Sequence, residues 1–88
     1  YIMDINQLIE TVKKKISEKI ECDKIDIEDK TFLHKSHKQF DKNKFHIKLT
    51  VKSDELKKLN KIQSTKLVYK ILDLELKNYI HSIQILII

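Results

Sequence analysis

Five side chains in this 88-residue chain carry the imidazole or thiol groups that most often hold metals: Cys22, His34, His37, His46 and His81. Imidazole is the commonest protein metal ligand and the one side chain whose unperturbed titration falls near neutral pH. His81 is the most informative of the five. An apolar helical run ends in Leu74-Glu75-Leu76, and Ile80-His81-Ser82-Ile83 then opens a terminal strand, so His81 stands at a helix-to-strand junction. Strict alternation places it on the same face as Ile83 and Ile85. The bland alternative to a ligand there is a structural histidine bonded to backbone. His34 and His37 lie three residues apart in a lysine-rich stretch, where a ligand and a solvated side chain are both open readings. His46 alternates with apolar neighbours and reads as a surface residue. Cys22 is the single cysteine, which excludes an intramolecular disulfide and an all-thiolate metal site. It reads as a small packing residue just past the first helix.

These groups must be positioned by one small core, because a chain of this length buries only about 60–65% of its unfolded surface. The composition, 41% apolar and 35% charged, is that of a globular domain with a heavily solvated exterior, and no apolar run is long enough to span a bilayer. All 18 positive residues are lysine, and the net charge is +5. Lysine is a flexible point charge, whereas arginine reads guanine edges and phosphates bidentately, so the basicity favours diffuse attraction to polyanions over sequence readout. Glycine is absent. A phosphate-cradling loop, a dinucleotide fingerprint and a nucleophile elbow all need glycine, and all three are excluded. No acid, base and nucleophile set emerges, and Ser36 beside His37 is a chance adjacency, so an enzyme is not expected. The lone cysteine fits an intracellular, reducing compartment, cytosol or mitochondrion. The first residue is Tyr1, so a missing leader carries no weight in that choice.

The elements follow from periodicity. Asp4 and Gln7 have the form of a capping box, and Ile5, Leu8, Ile9, Val12, Ile16 and Ile20 recur at helical spacing, predicting a helix over 5–21. Ile25 and Ile27 alternate with charged residues in a short strand. Residues 29–44 lose periodicity and form a long loop, a length that compact domains usually reserve for function or disorder. Phe45, Ile47, Leu49 and Val51 alternate with His46, Lys48, Thr50 and Lys52, the clearest strand, with its odd-numbered face toward the core. A helix over 62–77 follows. Its apolar sector is wide enough to predict cover on two sides. A strand over 80–87 closes the order. The expectation is one α+β domain over 1–88, α-β-β-α-β, with room for a short extra helical turn before the second helix. A three-stranded mixed sheet carries the helices on one face.

This order and the residues at its joints resemble the BolA family, whose fold is similar to a KH domain of the second topological type. Asp29-Lys30-Thr31-Phe32-Leu33-His34 resembles the family loop Asp-x-Ser-x-x-His. Phe45-His46-Ile47-Lys48-Leu49 through Ser53 resembles its strand pattern Ser-His-Phe-Lys-Val-x-x-x-Ser. Gln63, Lys66-Leu67-Val68-Tyr69, Leu72, Glu75-Leu76 and Ile80-His81-Ser82-Ile83 match in register, the histidine being the family's most characteristic residue. The chain departs from the family where Leu56-Lys57-Lys58 replaces Phe-x-Gly and Ser64-Thr65-Lys66 replaces Arg-His-Arg.

The resemblance implies a non-enzymatic adaptor that binds a monothiol glutaredoxin and shares a bridging [2Fe-2S] cluster with it and with glutathione. The family's terminal histidine and loop ligand fall on His81 and His34, with His37 the backup. Alone, the chain is expected to hold no cofactor and to be a monomer or weak dimer, with no membrane partner. One cysteine cannot hold such a cluster unaided, and two imidazoles in place of two thiolates give a Rieske-like ligand set. Neutral imidazole binds iron and its protonated form does not, so imidazole ligation of this kind weakens at acid pH. The alternative is a nucleic-acid-binding transcriptional regulator using Lys35, Lys38, Lys42, Lys44, Lys58, Lys61 and Lys66. Binding through about five lysines would give a slope of log K against log salt of roughly −4 to −5. The departures at 56–58 and 64–66 fall on the face proposed for that contact and weaken it more than the cluster reading.

Overall fold

The computed structural model describes residues 3–31 and 44–88. Helix α1 (Ile5–Lys19) begins at the expected capping box: the Asp4 carboxylate accepts from the Gln7 N–H at 2.8 Å, and Gln7 Oε1 accepts from the Asp4 N–H at 3.0 Å. Leu8, Val12 and Ile16 form its fully buried stripe. The helix ends before residue 21 because Ile20 turns to extended backbone and is itself buried in the core.

Strands β1 (Lys24–Asp29) and β2 (Phe45–Lys52) pair antiparallel, with Ile25 opposite Val51 and Ile27 opposite Leu49. A single turn, α2 (Asp54–Lys57), follows, capped by the Ser53 hydroxyl; this is the extra helical turn for which the sequence left room. Helix α3 (Lys61–Ile71) starts at a second capping box, Asn60 with Gln63. Helix α4 (Asp73–Asn78) leads into β3 (Ile80–Ile87), which lies parallel to β2. The sheet order is β1-β2-β3, and one apolar cluster joins the helices to the core-facing residues of all three strands. No φ is positive among the described residues, so none of them stands where glycine would be required.

The continuous helix expected over 62–77 is instead two segments. The backbone turns at Leu72, whose φ and ψ are −98° and 18°, although the N–H of Leu72 still reaches Val68 C=O and the N–H of Leu76 reaches Leu72 C=O. Leu72 is fully buried, and the turn brings Glu75 beneath α1, where its carboxylate takes both its oxygens to Lys15 Nζ at 2.7 and 2.9 Å. Both expected covers are present, since α3 packs on α1 and α4 on β3, while Leu74 stays 57% exposed.

Candidate functional site

The parallel ladder between β2 and β3 slips by one residue at its start. Phe45 pairs with Ile80 and His46 pairs with Ser82, which leaves His81 as the extra residue of a bulge. Ile80 and Ile83 both turn to the core across this irregularity, so His81 does not share the face of Ile83 and Ile85 that strict alternation gave it. It is exposed, and its ring centroid lies 4.9 Å from that of His46, the planes inclined at 50°.

His46 is the residue that sequence reasoning misplaced. It is buried at 5% exposure even though it sits on the sheet face away from the helices. Besides the His81 ring, Ser82, Thr31 and Lys30 are among the groups that engage it. Its Nδ1 shares a 2.6 Å hydrogen bond with Ser82 Oγ, its N–H donates to Thr31 Oγ1 at 3.2 Å, and its C=O accepts from the Lys30 N–H at 2.7 Å. Thr31 is fixed in turn by the Asp29 carboxylate, which accepts from both the Thr31 N–H and the Thr31 hydroxyl. Alternation carried no warning of this, since Ser82 and Thr31, which bond it, come from other parts of the chain. The one available signal was that His46 falls within the strand motif shared with the BolA family.

His34 and His37 lie outside the described residues, as do Lys35, Lys38 and Lys42. The remaining lysines are divided by the fold. Lys44 precedes β2 at the His81 end of the sheet, whereas Lys58 and Lys61 follow the opposite end of β2, and Lys66 lies midway along α3. Among the described residues no group of three His, Cys, Asp or Glu side chains converges to hold a metal. At the bulge stand one exposed imidazole, His81, and one buried imidazole, His46. Cys22 cannot join it. The N–H of Asp23 donates to Lys52 C=O at 2.8 Å, which puts Cys22 at the far end of β2, six residues or about 20 Å from His46. It is half-buried, its Sγ contacts Ile20 C=O at 3.5 Å, and burial, then the nearby carboxylates of Asp23 and Glu55, push the thiol pKa up. That is the packing role expected, in a setting that disfavours a thiolate. No helix among the described residues is long and apolar enough to cross a membrane.

The sequence profile of the BolA-like protein family matches residues 16–88, and the chain belongs to that family. Two solved structures share its fold. The BolA domain of SufE1 from Arabidopsis thaliana has a TM-score of 0.78 at 20% identity, covering 97% of this chain and 92% of that one. BolA1 from Arabidopsis thaliana has a TM-score of 0.74 at 23% identity, covering 89% of this chain and 86% of that one. No curated protein matches the sequence.

Proposed function

We propose that this BolA-type protein is a non-enzymatic adaptor that pairs with a monothiol glutaredoxin and shares a bridging [2Fe-2S] cluster with it and glutathione. The role is in iron–sulfur assembly, trafficking or iron and redox sensing. His81 supplies one imidazole, and His34, with His37 as substitute, supplies the second. The observation that carries this reading is the bulge: it frees the His81 ring from the ladder and exposes it at a sheet corner. Two further features support it. Thr31, three residues before His34, is tied to the backbone of His46 beside that corner. Cys22 is too remote to complete the set from within the chain, so a partner's thiolates are needed.

In this arrangement the protein's own residues orient and seat. His46 and Ser82 hold one another at 2.6 Å and back the His81 ring, limiting the directions it can take. The cluster, when bound, contributes visible absorption and a reduction potential that imidazole ligation raises relative to thiolate.

The test mixes the protein with a monothiol glutaredoxin, glutathione, iron and sulfide. The expected result is a visible and circular-dichroism spectrum unlike that of glutaredoxin alone, and His81→Ala restores the glutaredoxin-only spectrum. His81 is exposed, so the substitution changes stability by no more than about 0.5 kcal/mol. An unchanged spectrum in the variant would remove His81 from the ligand set.

A further inference from the structure

His81 stands out of the ladder because β2 and β3 are tied together on either side of it, out of step. Before it, the Tyr79 C=O accepts from the Phe45 N–H at 2.8 Å, and Phe45 pairs with Ile80. After it, Ser82 pairs with His46, and the two side chains share the 2.6 Å hydrogen bond. Between these ties β2 takes one step, Phe45 to His46, whereas β3 takes two, Ile80 to Ser82, so one residue has no partner. The later tie belongs to a regular ladder held by the core, with Ile83 opposite Ile47 and Ile85 opposite Leu49. The earlier tie depends on where α4 ends.

Glu75 holds that end of α4. Its C=O accepts from the Tyr79 N–H at 2.8 Å, one hydrogen bond away from the Tyr79–Phe45 tie. Glu75 is 2% exposed, and its carboxylate takes both oxygens to Lys15 Nζ, in the turn next to the fully buried Val12 and Ile16 of α1. A charge-assisted bond to both oxygens fixes position along the chain, whereas the apolar burial of Leu72 and Ile80 is non-directional and leaves a one-residue slip open. A single path therefore runs from the packed helix α1 to the start of β3: Lys15, Glu75, Tyr79, Phe45.

We propose that Lys15 and Glu75 are positioning residues for His81, acting by setting the tie at Tyr79 that forces the bulge. The inference rests on the reading of His81 as a ligand, and it names the part of the chain that sets where the ring stands; neither residue contacts the ring. With the pair released, the end of α4 moves by one residue against β2 and Phe45 comes to face His81. The ladder then runs without a bulge, and alternation carries the ring to the face of Ile83, away from His46.

The test uses the full chain alone, without glutaredoxin or metal. Lys15→Met with Glu75→Leu replaces the pair by apolar side chains, an exchange that folded proteins commonly tolerate. Two readouts separate positioning from stability: the nuclear Overhauser contact between the His46 and His81 rings, and hydrogen exchange of the Phe45 amide relative to the Leu49 amide in the middle of β2. The expected result is loss of the ring contact and exchange at Phe45 accelerated by about tenfold or more relative to Leu49. Lys15→Arg, which keeps the pair, retains the native contact and the native ratio. A native ring contact and a native exchange ratio in the double variant would overturn the proposal, as would equal acceleration at Phe45 and Leu49, which assigns the pair to general stability. Loss of the contact in Lys15→Arg would overturn it too. Failure of the ligand reading shows elsewhere, as a mixture with glutaredoxin whose spectrum is unchanged by His81→Ala, and leaves these two readouts as they are.

Discussion

The two ends of the sheet are built from similar materials and do different things. At one end Ser53 is closed in and Cys22 is half-buried. The Ser53 hydroxyl is 1% exposed, donates to Glu21 C=O at 2.8 Å and accepts from the Leu56 N–H at 3.2 Å, joining the end of α1 to the start of α2. At the other end Ser82 and His46 also share a short hydrogen bond, but the bulge beside them leaves His81 in solvent. The first end holds the chain together, and the second presents a side chain. A serine in each case sets the geometry.

The closed end is most sensitive to substitution at Ser53. Ser53→Ala removes the cap of α2 and leaves the Glu21 carbonyl unpaired, a loss of about 2 kcal/mol. For a domain of this size that lowers Tm by roughly 8–16 °C, measurable by thermal melting. Rescue of the melt by Ser53→Thr, which keeps the hydroxyl, would confirm the cap as the cause. Ser82→Ala should be milder, about 1 kcal/mol, because only one hydrogen bond is lost. Its diagnostic effect lies elsewhere: the His46 and His81 ring resonances move together in a proton–nitrogen spectrum. A variant in which only the His46 signals move would show that the two rings are not mechanically joined.

The smallest effect concerns Cys22. Its thiol pKa is raised in the folded chain, so above the ordinary thiol range the unfolded chain releases its proton first, and stability falls as pH rises through the folded value. Below that range the contribution is fully present. Cys22→Ser should flatten this alkaline decline in urea titrations, and alkylation of native Cys22 should run slower at mildly alkaline pH than alkylation of the urea-unfolded chain. Equal rates would place the thiol in an ordinary setting and blur the contrast with the exposed imidazole.

Much of the frame was legible in the residues. The capping box at Asp4 and Gln7, the alternation of 45–52 and the apolar run from residue 80 each reported a local preference that the tertiary structure left standing. The break at Leu72 was hidden because the apolar pattern continues through it. The turn accompanies burial of Leu72 and the pairing of Glu75 with Lys15, sixty residues away, which no local pattern records. His46 was hidden for a related reason, since its partners Ser82 and Thr31 come from other parts of the chain.

The residues by themselves fix which segments are apolar, where the first helix starts and that the last segment lacks charge, because these are written in neighbouring side chains and in period. Only the tertiary structure decided that β3 slips by one residue against β2, that His81 therefore leaves the core face, and that His46 lies buried beside it. Strand register is a property of two segments thirty-five residues apart, fixed by how Phe45 and Ile80 meet in one shared core, and neither segment carries that information by itself.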